Sequence, residues 1–240
     1  MFLYGKNSVF ERLKYNPKSI RKVFLEEGFN SPHIEKLIKN KNVSLKRVSV
    51  KELKRIKEVR LSQGIIAEVD EFEYAHLEDL ISRPKPEKFS LIFLDRIFDP
   101  QNLGAIIRTT ACFGAFAIII PKHKACAITE TVLHVACGGE NFTPVVMVSN
   151  LSNALLKAKD SGYWAAGALV SGGQDIAKTE LPFPLCFILG SEGEGLRYGV
   201  EKHLDIKVHI PMRGTPLSFN VTAAAAVFCY EVTKQFSLEK

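Results

Sequence analysis

The sequence is poor in anything that would cross-link or anchor it. Its five cysteines, Cys112, Cys126, Cys137, Cys186 and Cys229, are an odd number with no Cys-x-x-Cys pair among them. That argues against a disulfide framework and against a cysteine-only zinc site; free thiols buried in a reducing compartment are the expectation. No apolar run approaches the roughly 20 residues of a membrane-spanning helix. The first residues, MFLYGKNSVFERLKY, lack the basic-then-apolar order of a signal peptide. A cytoplasmic, soluble protein with neither membrane nor metal partner is therefore expected. There is no internal repeat or low-complexity tract. The Rossmann glycine fingerprint and the phosphate-binding Lys-Ser/Thr loop are both missing, which disfavours a dinucleotide oxidoreductase.

What is present is ordinary globular material. The chain has 240 residues, 46% hydrophobic and 24% charged, long enough to bury well over half of its unfolded surface. The net charge of +6 is unevenly spread: residues 1–60 hold 16 Lys/Arg against 6 Asp/Glu, and residues 61–240 are net negative. The densest stretch is 39–60, KNKNVSLKRVSVKELKRIKEVR. One such run is what a solvated helix face presents. The concentration of the whole excess in one quarter of the chain favours a polyanion such as RNA. The run lacks interleaved aromatics, so phosphate contact rather than base stacking is the expected mode.

Periodicity divides the chain in two. Residues 1–75 read as a small α/β unit, with helices around 8–15, 31–42 and 50–59 and strands around 22–27, 45–50 and 64–72. Residues 76–88, acidic and then carrying Pro84 and Pro86 between lysines, read as a linker with room for a short helix. From 89 to 240, five short apolar segments (90–95, 116–121, 163–170, 185–190 and 207–212) have the composition of buried parallel strands. Helical patterns at 101–114, 129–138, 150–161, 195–202 and 218–235 alternate with them. The fold class is α/β with a mostly parallel sheet.

Ligands of parallel sheets sit beyond the carboxyl ends of the strands, and three strand ends carry unusual residues. In Asp99–Thr109, Asp99 and Pro100 start a helix, and Arg108 sits among apolar neighbours where a guanidinium must find a partner, reach a site or snorkel to the surface. Asn102, six positions earlier, is turned by roughly 240° from it on a regular helix, so the two share a face only if Asn102 precedes regular winding. In Leu189–Leu196, three glycines follow a buried strand. They allow close backbone approach to a ligand, or simply make a flexible turn. Glu192 and Glu194 in that turn disfavour a phosphate. In Ile210–Thr222, Ser218 or a neighbour caps an alanine-rich helix, and Asn220 is a poor residue for a first turn.

Taken together, DPQNLGAIIRT, LGSEGEGL and IPMRGTPLSFNVTAA resemble, in order and spacing, the three motifs of the SpoU/TrmH family of RNA 2′-O-ribose methyltransferases, part of the SPOUT superfamily. FLYGKNSVFERL and SQGIIAEV resemble the auxiliary RNA-binding domain of the branch that methylates a guanosine of large-subunit ribosomal RNA. Phe219, Thr222 and Ser62 depart from the residues usual at their places. The resemblance implies a deep trefoil knot, a homodimer with sites drawing on both subunits, and S-adenosylmethionine as cofactor. It implies cofactor contacts from Leu189, Gly190, Ile210, Met212, Leu217 and Phe219. Arg108 would act on the ribose hydroxyl as proton acceptor or as stabiliser of the alkoxide, supported by Asn102, Glu192, Ser218 and Asn220. Ribosomal RNA is the expected substrate. Transfer RNA, a ring nitrogen of a base, or an inactive role in ribosome assembly are the alternatives.

Overall fold

A computed structural model describes residues 1–58, 62–84, 89–191, 193–214 and 217–238. The first unit contains β1 (Phe2–Tyr4), α1 (Lys6–Tyr15), β2 (Ile20–Glu26), α2 (Pro32–Asn40), β3 (Leu45–Val48), α3 (Val50–Ile56) and β4 (Ile65–Val69). Its four strands are ordered β1-β4-β2-β3; β2 and β3 run parallel, and β4 is antiparallel to both of its neighbours. Local chemistry sets the helix starts. Ser31 precedes Pro32 at the entry to α2. Ser49 and Glu52 form a reciprocal capping box at α3, and the Ser49 backbone N–H and hydroxyl hold the Glu52 carboxyl below its ordinary value. The three-residue β1 is too short to show a period in the sequence.

The second unit contains α4 (Leu77–Ile81), β5 (Ser90–Leu94), α5 (Pro100–Phe113), β6 (Phe116–Pro121), α6 (Glu130–Ala136), β7 (Val145–Val148), α7 (Leu151–Asp160), β8 (Trp164–Leu169), β9 (Gln174–Asp175), β10 (Leu185–Leu189), α8 (Tyr198–Glu201), β11 (Ile206–His209) and α9 (Val221–Leu238). Its seven strands are ordered β7-β6-β5-β10-β8-β11-β9, every neighbouring pair parallel. The expected parallel α/β architecture is what forms. Along β5, Ile92 and Leu94 face one core while Leu91 and Phe93 face the other, all at most 2% exposed. Burying each such side chain contributes about 1.5–3 kcal/mol. The first of these cores runs without a break into Leu3, Val9, Leu13, Val23 and Leu25 of the first unit.

Several boundaries differ from the sequence reading. Strands β7 and β9 have no counterpart in it. The segment expected to link the units begins with α4, which buries Leu77, Leu80 and Ile81; Lys85–Lys88 lie outside the described residues. The expected strand at 207–212 ends at His209, because Pro211 has no N–H to give a ladder. The helix expected at 195–202 shrinks to α8, since Gly195 has φ 66°. Among the described residues no helix is long and apolar enough to cross a membrane.

Candidate active site

Strands β5 and β10 lie side by side, so the loops that follow them meet at one edge of the sheet. Asp95, directly after β5, is fully buried. It accepts hydrogen bonds from the Arg197 backbone N–H (2.9 Å) and from its Nε (2.7 Å), a charge-assisted pair that fixes the far end of the glycine loop. Arg96, at φ 64°, turns its guanidinium onto the Glu194 carboxylate and donates to the Gly195 carbonyl at 3.2 Å. Within the loop, the Gly195 N–H donates to the Ser191 carbonyl at 3.0 Å. A Cβ on Gly190 would stand 2.4 Å from the Gly195 carbonyl carbon. Gly190 and Gly195 therefore close the loop into a ring by backbone-to-backbone packing. Glu192, expected to orient Arg108, lies outside the described residues.

This ring forms one wall of an open, largely apolar cleft at the carboxyl ends of the strands. Leu189, Gly190, Ile210, Met212, Ser218 and Phe219 all line it. Leu217 does not; it is 71% exposed. The sequence reading missed Ala168, Leu169 and Val170 at the end of β8, and Ala224 and Phe228 on α9. The first three carried the same signal as the glycine loop, a buried strand running into Gly172-Gly173. Ala224 and Phe228 read only as helix interior.

A second cleft adjoins the first, sharing Ser191 and Val221 with it and adding Arg96, Asp99, Asn102 and Lys124. The Asp99 carboxylate accepts from the Gln101 N–H at 2.8 Å and caps α5 as expected. Of Ser218 and its neighbours, Asn220 stands at the cap of α9: its Oδ1 accepts from the Thr222 N–H at 2.9 Å and from its hydroxyl at 2.5 Å. Asn220 thus precedes the helix, which corrects the expectation that it sits in the first turn, and its Nδ2 donates to Asn102 Oδ1 at 3.4 Å. Ser218 is left exposed on the first cleft.

Arg108 stands apart. Asn102 is inside the regular winding of α5, so the two residues face different ways, as their spacing requires. Arg108 is exposed, its Nη1 lies 3.6 Å from Cys137 Sγ, and among the described residues it lines neither cleft. Within one chain the structure puts Ser218 on the first cleft and Asn102 on the second, ties Asn220 to Asn102, and leaves Arg108 out.

Two families match the chain: the SpoU rRNA Methylase family over residues 88–230, and the family of RNA 2′-O ribose methyltransferase substrate binding over residues 2–75. Among similar proteins, the 23S rRNA (guanosine-2′-O-)-methyltransferase RlmB of Neisseria meningitidis serogroup B is 34% identical over 97% of this chain and 94% of its own length. The RlmB of Pseudomonas putida is also 34% identical, over 99% and 98% of the two chains. The solved structure of the SpoU methyltransferase AviRb from Streptomyces viridochromogenes, in complex with AdoMet, superposes with a TM-score of 0.83 at 21% identity, covering all of this chain and 91% of that one. That likeness shows the fold. With relatives matching over nearly their full length, and with the three strand-end loops inside the matched region, the chain belongs to the SpoU rRNA methylase family.

Proposed function

We propose that the protein transfers a methyl group from S-adenosylmethionine to a ribose 2′-hydroxyl of structured RNA, namely a guanosine of ribosomal RNA. The observation that carries this reading is the match of both units, end to end, to enzymes named for that reaction. The lining of the cleft suits the cofactor: Gly190, Gly193 and Gly195 place backbone along its wall, and Leu189, Ile210 and Phe228 offer apolar surface. When bound, S-adenosylmethionine supplies an electrophilic methyl on a sulfonium that leaves as a neutral thioether.

The chain must then orient the attacking oxygen and deal with its proton. A guanidinium holds its proton too tightly to be a good base and is a strong donor, so Arg108 takes the part of stabilising the developing alkoxide. Asn102, on the second cleft, and Asn220, hydrogen-bonded to it, orient the ribose. Because Arg108 faces away from the cleft of its own chain, this reading requires a homodimer in which Arg108 serves the cleft of a second copy. The outward stripe of Ala223, Val227 and Tyr230 on α9 suits close packing of such a partner. The basic unit, residues 1–75, captures the RNA, and the setting is the cytoplasm.

Labelled-methyl transfer onto separated ribosomal and transfer RNAs, followed by nucleoside analysis, tests the reaction. A 2′-O-methylguanosine from ribosomal RNA is expected; label on a base, or on transfer RNA alone, overturns it. Mixing tests the dimer. An Arg108→Ala chain and a Gly190→Trp chain, each inactive alone, should regain roughly a quarter of normal activity when co-refolded in equal amounts, because half of the sites in each mixed dimer are intact. No recovery would place both functions in one chain.

A further inference from the structure

The ion pair between Arg12 and Glu140 joins the two units at the floor of a cleft that both residues line. Arg12 Nη2 lies 2.9 Å from Glu140 Oε1, and the two side chains are 7% and 1% exposed. Arg12 is on α1 of the basic unit; Glu140 is in the turn Gly139–Asn141 that follows α6. As a stabilising device the pair is poorly made. Arg12 Nη1 also donates to the Ser19 hydroxyl at 3.2 Å, but among the described residues Arg12 Nε and Glu140 Oε2 have no hydrogen-bond partner, and buried pairs of this kind are often no better than apolar residues of the same size. Something other than stability is the natural reason for placing it there.

The turn that carries Glu140 supplies that reason. It is squeezed between α1 on one side and Arg108 on the other. A Cβ on Gly138 would stand 2.3 Å from the Glu11 Cβ, and a Cβ on Gly139 would stand 3.1 Å from the Arg108 Cα and 3.2 Å from the Ile107 carbonyl oxygen. Cys137, at φ 51°, brings its sulfur to the Arg108 guanidinium itself. The rest of the segment is gripped by the same unit: the Ser8 hydroxyl donates to the His134 carbonyl at 3.3 Å, the Tyr4 and His134 rings stack at 4.3 Å, and the Phe2 N–H donates to Glu130 Oε1 at 2.6 Å.

We infer that Glu140 is a positioning residue for Arg108: tied to Arg12, it lets the docked basic unit set the placement of the guanidinium that acts on the ribose. The inference rests on the role proposed for Arg108 above. The RNA-capturing unit is then part of the catalytic apparatus and not only a tether.

The test uses the full chain, with turnover expressed per cofactor site titrated by calorimetry. Glu140→Gln keeps the shape and removes the charge. It should lower kcat ~10- to 100-fold, the size of effect that a displacement of about 1 Å can produce, with KM for RNA and Kd for S-adenosylmethionine within about twofold of normal. Arg12→Lys, which keeps the charge, should retain most of kcat. The decisive variant is the apolar pair Arg12→Met with Glu140→Leu: it should regain the melting temperature and not kcat. If the apolar pair restores kcat as well, or if Glu140→Gln loses cofactor sites while turning over normally at those remaining, Glu140 is only packing and the inference falls. Full kcat in Glu140→Gln beside an inactive Arg108→Ala would sink this inference alone. An active Arg108→Ala would sink the proposed role beneath it.

Discussion

Gly190 and Gly104 are positions where one more carbon atom has nowhere to go, with different consequences. At Gly104 on α5 an added Cβ would meet the Val135 Cβ at 2.7 Å and the Val132 carbonyl oxygen at 2.8 Å. Gly104→Ala must push α6 away, at about 1–3 kcal/mol, and should lower the thermal midpoint while sparing cofactor affinity. Gly190→Ala collides with the closed ring itself and should abolish S-adenosylmethionine binding measured by calorimetry. Arg108→Ala is the mirror case: binding nearly normal, methyl transfer lost. Arg108→Lys should fail too, because the planar fork is gone; normal turnover in either variant would remove Arg108 from the chemistry. The resemblance to the family's motifs, rather than any local pattern, named Leu189, Gly190, Ile210, Met212 and Phe219, and all five line the cleft. Leu217 sits in the same stretch and points elsewhere, because a motif says which segment is near a ligand and not which side chain turns inward.

Elements were legible where they were long and apolar on both faces, as in β5, β6, β8 and β10. They were not where two to four residues form a strand only through a neighbour's ladder: β1, β7 and β9 have too few residues to show a period. Helix α9 was expected from its alanines, but its start moved to Val221 because Asn220 rather than Ser218 satisfies the first N–H groups. The inner face of α9 makes its own prediction. Burial pushes the Cys229 thiol from 9.0 up to about 12. The unfolded chain gives up that proton above about pH 9 while the folded chain keeps it. The contribution is therefore complete below pH 9 and is lost as pH rises, at about 1.4 kcal/mol per unit between the two values. Burial also raises Tyr163, so it acts in the same direction above pH 10. Urea midpoints at pH 8 and pH 10.5 should differ accordingly. Cys229→Ala should show a smaller difference, and an equal one would mean the thiol is not held protonated.

At the scale of the molecule, the sequence reading divides the chain in two and puts the positive charge in the first part, and it carries no signal for how the parts pack. The hydrogen bonds that dock them, such as Arg12 to Glu140 and Phe2 to Glu130, join residues 128 positions apart, and no local period encodes such a pairing. The charge asymmetry does survive into the structure. On β3 and α3, Lys46, Lys51, Lys54 and Arg55 are exposed, whereas Arg47 is committed to Glu35 at 2.6 Å and Lys57 to Glu130. The free cations at this end of the basic unit are thus fewer than the sequence count implied, and they are the ones available to phosphates. Replacing Lys51, Lys54 and Arg55 by serine should weaken binding of ribosomal RNA and flatten the plot of log affinity against log salt by about 0.7–0.9 for each phosphate no longer neutralised. The affinity for S-adenosylmethionine should not change, because these residues are on the other unit from the cleft. A salt slope identical to the unaltered protein's would mean that the RNA lies on another face, and that the concentration of positive charge in the first 60 residues serves solubility alone.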